Sequence, residues 1–288
     1  MIKTRILPAL VAAALVAPGT ALAAGGGGHT EDVAFSFEGP FGTFDAHQLQ
    51  RGFQVYHKVC AACHGLKFVA FRELGRDDGP AFPEAQVKAI AATYTCIDPE
   101  ADGGERACKA SDLFPANTGA GAPDLSLMAK ARAGFHGPAG LGLNQLFSGM
   151  GGSEYIYSVL TGYNGKDEEV AGSALYGNDA TGGALSMAPP LYDGVVDDYE
   201  INYGPYDATG AVISSEGAES GDGHAYHAPE PTIEQMAEDV SAFLMFTAEP
   251  NLVERKSTGF KYVLFLLFVT VLLYYTNKAL WAPIKRKA

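Results

Sequence analysis

Apolar residues return at helical spacing in several separate stretches of this chain. Asp45, with Gln48 three residues later, signals a helix start, and Leu49, Phe53, Tyr56 and Cys60 then share one stripe. The segment FPEAQVKAIAATY, beginning at Phe82, predicts a second helix with Pro83 in its first turn. Two shorter helices are predicted over 123–134 (PDLSLMAKARAG) and 153–162 (SEYIYSVLTG), the latter capped by Ser153. Residues 162–230 are rich in Gly, Asp and Tyr without a period, which predicts long surface loops. The clearest helix follows. Thr232 and Gln235 form a capping box, and Ile233, Met236, Ala237, Val240, Phe243, Leu244 and Thr247 hold one face until Pro250 stops it. The expected fold is mainly α.

The two ends of the chain are apolar in different ways. At the start, Lys3 and Arg5 precede an apolar centre from Leu7 to Ala17, and Ala21-Leu22-Ala23 supplies a small-residue cleavage pattern. Residues 1–23 are therefore expected to be a signal peptide and residues 24–255 an exported domain. Near the other end, residues 259–281 are apolar on every side, which a buried core helix would not need. Its uncharged part, Tyr262 to Asn277, spans about 24 Å as helix. That is shorter than a hydrocarbon core of about 30 Å, but Lys261 and Lys278 can snorkel and Trp281 suits the headgroup level. Residues 256–288 are expected to be a single transmembrane helix with a short cytoplasmic tail.

Charge divides along the chain. Between 24 and 254 there are 11 basic against 33 acidic residues, and none of the 18 acids from Asp167 to Glu254 is interrupted by a Lys or Arg. This sign excludes nucleic acid as a partner. It suits a solvated surface or a basic protein partner.

The chemistry concentrates in VYHKVCAACHGLKF, where Cys60 and Cys63 stand three apart and His64 follows at once. A thioredoxin-like disulfide would expect a neighbouring βαβ pattern, which does not precede it. A zinc site would need two further ligands, and the chain has no second CxxC or HxxxH. C-x-x-C-H is the signature of covalent haem attachment. Two thiols one turn apart can add to the two vinyl groups on one porphyrin edge, and the histidine beside the second thiol then faces the iron.

A second axial ligand would come from elsewhere. Met236 and Met245 lie inside the last soluble helix, Met128 in a short helix and Met150 in a Gly-rich turn. Met187 sits in a loop directly before Pro189-Pro190, which stiffen the backbone, and is the favoured candidate. A thioether at the iron raises the potential, as suits a late electron carrier. The remaining cysteines, Cys96 and Cys108, flank a polar segment with Pro99 and Gly103-Gly104, and in an exported chain they are expected to form a disulfide. His224 and His227, in HAYH, are expected to be exposed loop residues.

With these residues in place, the chain resembles the cytochrome c1 family, the haem subunits of the cytochrome bc1 complex, and most of all its alphaproteobacterial members. The resemblance runs through FEGPFGTFD, QLQRGFQVY, CAACH, APDLSLMAKARAGFHGP, EYIYSVLTGY, MAPPLYD and MAEDVSAFLMFTAEPNLVERKSTGF. It implies one covalent haem c, with Cys60 and Cys63 as thioether attachments and His64 and Met187 as axial ligands. It also implies Arg132 near a haem propionate, and Asn117, Pro123 and Tyr155 around the haem pocket. Bacterial relatives often carry a cysteine pair before the MxPP-like segment, whereas residues 162–187 contain none here.

The implied fold is a c-type cytochrome haem domain with long surface loops plus one C-terminal transmembrane helix. The implied role is to take electrons from a Rieske iron–sulfur protein, beside cytochrome b, and pass them to a basic cytochrome c outside a bacterial inner membrane. Such a subunit is not an enzyme by itself. Two alternatives remain at this level: an anchored cytochrome c serving a terminal oxidase, and a haem enzyme or sensor with an exchangeable sixth ligand.

Overall fold

The computed structural model describes residues 28–98, 103–119, 121–132, 149, 151–170, 172–196, 199 and 228–285. The expected signal peptide, Met150 and the HAYH segment lie outside the described residues. The fold is mostly helical. Helix α1 (Ala46–Lys58) begins where Asp45 accepts hydrogen bonds from the amides of His47 and Gln48, at 2.8 and 3.4 Å. A 3-10 turn, Cys60–Ala62, carries the cysteine motif, and a second, Phe71–Gly75, leads to α2 (Glu84–Ala92). Then come strands β1 (Thr95–Ile97) and β2 (Glu105–Ala107), and the short helices α3 (Met128–Ala131) and α4 (Gly152–Thr161). Strands β3 (Glu168–Val170), β4 (Ser173–Asn178) and β5 (Gly183–Leu185) precede α5 (Ile233–Ala248) and α6 (Leu252–Lys285).

The core lies where α1 crosses α5. Phe53 and Tyr56 of α1 meet Phe243 of α5 with ring centroids 5.6 and 5.9 Å apart. The helices approach so closely that a Cβ on Gly52 would lie 2.0 Å from the carbonyl oxygen of Asp239, so only glycine fits there. Beside it, Arg51 donates twice to Asp239, both bonds at 2.8 Å, and both side chains are buried. Met236 is fully buried in this core, as its place on the apolar stripe predicted.

Four sequence expectations are corrected. The helix expected over 123–134 shrinks to Met128–Ala131, because the Asp124 side chain accepts from the amides of Lys67 and Ser126 and holds the preceding residues in a turn. Helix α4 starts at Gly152 after a left-handed Gly151; Ser153 is not its cap, and its hydroxyl donates to Glu154 instead. The capping box of α5 is half made. Thr232 accepts from the Gln235 amide, but the Gln235 side chain donates to Asp239, one turn on. Within the expected surface loops, β3, β4 and β5 form an antiparallel sheet in that order.

The expected Cys96–Cys108 disulfide is present, with a Cα–Cα distance of 5.1 Å, clamping the β1–β2 hairpin. Closing a loop of this size contributes on the order of 3 kcal/mol in the chain-entropy account.

The half-buried Glu38 and the buried Glu154 form a carboxyl pair between the 35–44 segment and α4. Burial first, then the hydrogen bond and charge of Glu154, push Glu38 up from 4.5 to about 8, with Asp32 adding to the same effect. Lys256, whose charge also interacts with Glu38, has its ammonium committed to the Phe37 carbonyl. A raised acid favours the folded state while protonated, so its contribution is complete below about pH 4.5 and is lost as pH rises through about 8. Glu38→Gln, which mimics the protonated form, is expected to flatten the loss of thermal stability across that window and to raise Tm above it. Equal pH slopes in variant and parent would show that Glu38 titrates normally.

Candidate functional site

The cysteine motif sits at the C-terminal end of α1, which the α1–α5 core fixes in place. Cys60 is half-buried, Cys63 is exposed, and neither is in a disulfide. Burial, with Cys63 as a lesser cause, pushes the Cys60 thiol up to about 12. The turn is closed by backbone bonds from Cys63 and His64 to the Cys60 carbonyl, at 3.1 and 2.9 Å, so both thiols and the imidazole belong to one tight unit.

Residues 115–119 and 121–126 wrap this unit as a strap. The Asn117 side-chain amide donates to the carbonyls of Ala61 and Ala62, at 3.3 and 2.9 Å. The Leu125 amide donates to Gly65, the Lys67 amide to Asp124, and the Phe68 amide to Ser126. Gly65 must be glycine for this strap to close, since a Cβ there would lie 2.6 Å from the Asn117 nitrogen. From the core side, the fully buried Tyr56 donates its hydroxyl to the His64 carbonyl at 3.0 Å.

His64 Nδ1 lies 2.7 Å from the carbonyl oxygen of Pro123. That oxygen only accepts, so Nδ1 carries the proton and donates it, and the Nε2 lone pair is left free for a metal. A cleft of about 340 Å³ opens beside it, lined in part by Tyr56, His64, Tyr94 and Asn117. Two unpaired thiols three residues apart, a histidine in the ligating tautomer and an adjacent cleft together fit a haem held through two thioethers. Zinc fits less well: among the described residues, the one Cys/His/Asp/Glu cluster with suitably close ligand atoms is Cys96, Cys108 and Asp112, whose sulfurs are already bonded to each other.

The other site residues fall into two groups. Asn117 and Pro123 are drawn directly onto the motif. Met187, Arg132 and Tyr155 are not bonded to it. Met187 is half-buried just after β5 and is not among the residues lining the cleft. Its carbonyl accepts from the Tyr163 hydroxyl at 3.0 Å, and Tyr163 is also bridged to Asn178 of β4. The Met187 loop is thus braced by a tyrosine and a small sheet, without cysteines. Burial pushes the Tyr163 phenol up to about 12, so it remains a donor at ordinary pH. Arg132 is exposed past the end of α3 and bonds the neighbouring Ala131 carbonyl, while Tyr155 is half-buried on α4. Sequence reading missed Tyr163 and took Tyr56 as core alone; a hydroxyl on an otherwise apolar stripe was the available signal.

A mostly helical domain built around a CxxCH motif, continued by one long apolar helix, defines the class of anchored c-type cytochromes. The family model described as the cytochrome C1 family matches residues 35–205 and 208–284. The chain belongs to the cytochrome c1 family. It is 49% identical, over 306 aligned positions and 98% of both chains, to the protein named cytochrome c1 of Cereibacter sphaeroides. It is 36% identical over 278 positions to "Cytochrome c1, heme protein, mitochondrial" of Saccharomyces cerevisiae, spanning 90% of this chain and 74% of that one. It is 34% identical over 278 positions to the "Cytochrome b-c1 complex catalytic subunit, mitochondrial" of Candida albicans, spanning 90% and 80%.

Proposed function

We propose that this chain is the electron-transfer subunit of a ubiquinol–cytochrome c oxidoreductase. It takes one electron at a time from a Rieske iron–sulfur protein and gives it to a cytochrome c. The haem, when bound, supplies a one-electron iron couple. Cys60 and Cys63 would hold it through two thioethers, and His64 Nε2 and the Met187 thioether would serve as its iron ligands. Pro123 and Asn117 act through the motif: the carbonyl of Pro123 holds the His64 ring and its tautomer, and Asn117 ties down the turn between the cysteines. Arg132, exposed and without a carboxylate partner among the described residues, is available to a propionate. The observation that carries this reading is the His64–Pro123 bond, because a ligand held in one tautomer and orientation suits a site that changes charge without changing shape.

No bond is made or broken in this subunit, so turnover needs cytochrome b and the Rieske protein beside it. Helix α6 is long and apolar enough to cross a membrane, and in this proposal the haem domain lies in the periplasm with the C-terminal tail in the cytoplasm. Purification from detergent-solubilised membranes is expected to bring both partners down with the chain. An anchored cytochrome serving an oxidase would bring down oxidase subunits instead, and a haem sensor would bind carbon monoxide without mutation.

The acidic half of the domain gives a separate test of the acceptor. Its single-sign field is screened beyond about 8 Å at physiological salt. Transfer to a basic cytochrome c is therefore expected to slow steeply as ionic strength rises. Neutralising Asp193, Asp197, Asp198, Glu200, Asp207, Glu216, Glu219 and Asp222 is expected to flatten that dependence and leave the haem spectrum unchanged. All of these but Asp193 lie outside the described residues. A salt slope that survives the neutralisation would leave these acids a solubilising role only.

A further inference from the structure

The segment around Phe41 joins the domain to the root of α6 in a way that the electron-transfer role does not use. Its base is in the core: Phe35 stacks on Phe37 at 5.0 Å, Phe37 packs on Phe44 at 5.2 Å, and Phe44 meets Phe246 of α5 at 5.6 Å. A backbone bond from the Thr43 amide to the Ser36 carbonyl, at 3.1 Å, closes the intervening residues into a short loop. Lys256 of α6 donates to the Phe37 carbonyl and pins that loop to the helix. At its tip stands Phe41, 72% exposed, with its ring edge-on to Phe260 of α6 at a centroid distance of 5.3 Å.

A single exposed phenylalanine is ordinary. This one packs on Phe260 and is continuous with the apolar surface that begins at Phe260 and Tyr262. Phe260 precedes the uncharged run by two residues, about 3 Å along a helix, and the polar layer of a bilayer is roughly 5–7 Å deep on each side. A ring in contact with Phe260 therefore lies at headgroup depth if α6 spans the bilayer. Lys261 stands on the same stretch of helix, where its long side chain can snorkel to phospholipid headgroups. Aromatic rings are favoured at that depth.

We infer that Phe41 is a second membrane contact, which rests in the outer-leaflet interface beside the anchor and fixes the tilt of the haem domain on the lipid surface. The phospholipid surface is its partner. A lone helix would leave the domain free to lean, whereas two contacts on different segments define its attitude toward the bilayer. This inference rests on the reading of α6 as a membrane span, and the test keeps the two apart.

The full-length holoprotein is placed in phospholipid nanodiscs with a nitroxide on Phe41→Cys, on Leu267→Cys in mid-anchor, or on Ile97→Cys at the exposed β1–β2 hairpin. Power-saturation EPR then compares accessibility to oxygen, which partitions into lipid, with accessibility to a water-soluble nickel chelate. Position 41 is expected to favour oxygen over nickel relative to position 97, with a depth between those of 97 and 267. If 267 reads deep while 41 matches 97, or if 41 is shielded from both reagents, the Phe41 contact is wrong and the anchor stands. If 267 itself reads as water, the anchor fails, and the inference fails with it.

Discussion

Met187→Leu is expected to lower the reduction potential by on the order of a few tenths of a volt, the largest single effect available to one side chain here, because axial ligands set haem potentials over a range of about 0.8 V. The thioether favours the reduced state, and leucine offers no donor in its place. With Met187 in the proposed sixth position, its loss is also expected to admit carbon monoxide, which the parent protein is expected to exclude. A redox titration and a carbon monoxide difference spectrum check both halves. A native potential with no carbon monoxide binding would mean that another residue holds the sixth position. The brace predicts an intermediate case: Tyr163→Phe keeps the thioether but frees the Met187 carbonyl, so it should loosen the loop with a much smaller change in potential.

The largest expected effect on stability belongs to Asp239→Ala. Arg51 is buried and donates to both carboxylate oxygens of Asp239, and its guanidinium also lies over the Tyr199 ring at 5.6 Å. Removing the carboxylate takes two charge-assisted hydrogen bonds from the buried guanidinium at the crossing of α1 and α5. Breaking a buried pair from one side costs about 3–5 kcal/mol. Chemical denaturation of the holoprotein is expected to show a loss of that size. The double change Arg51→Met with Asp239→Leu, which removes both charges, should recover most of it. If the double variant is as unstable as the single one, packing and not the broken charge pair is the cause. Because α1 carries the cysteine motif at its far end, Asp239→Ala is also expected to loosen the haem end of the domain, whereas the double variant should not.

How far the sequence reaches can be judged from particular residues. The helix starts at Asp45 and Thr232 were legible because capping is local: a side-chain oxygen meets amides two or three residues away. The CxxCH unit was legible for the same reason, since its spacing within one turn already dictates which atoms can act together. The disulfide was a sound expectation from composition and compartment. Where a longer-range partner competed, local reading failed. Asp124 bonds back to Lys67, 57 residues away, and that contact unmade most of the helix expected over 123–134. Strands β3, β4 and β5 went unseen because short, Gly-rich, largely exposed strands carry almost no alternation.

The sequence by itself therefore determined the CxxCH unit, the family, the helical core and the long apolar helix, each of which depends on spacing within a turn or composition along a run. The tertiary structure decided what spacing cannot encode. It placed the Pro123 carbonyl against His64 and so chose the ring's tautomer, and it packed the 115–117 backbone across Gly65. It hung the Met187 loop on Tyr163 and set Phe41 against the root of the anchor. The reason is common to all four. Each contact joins residues far apart in the chain, and it depends on where the α1–α5 core holds those segments.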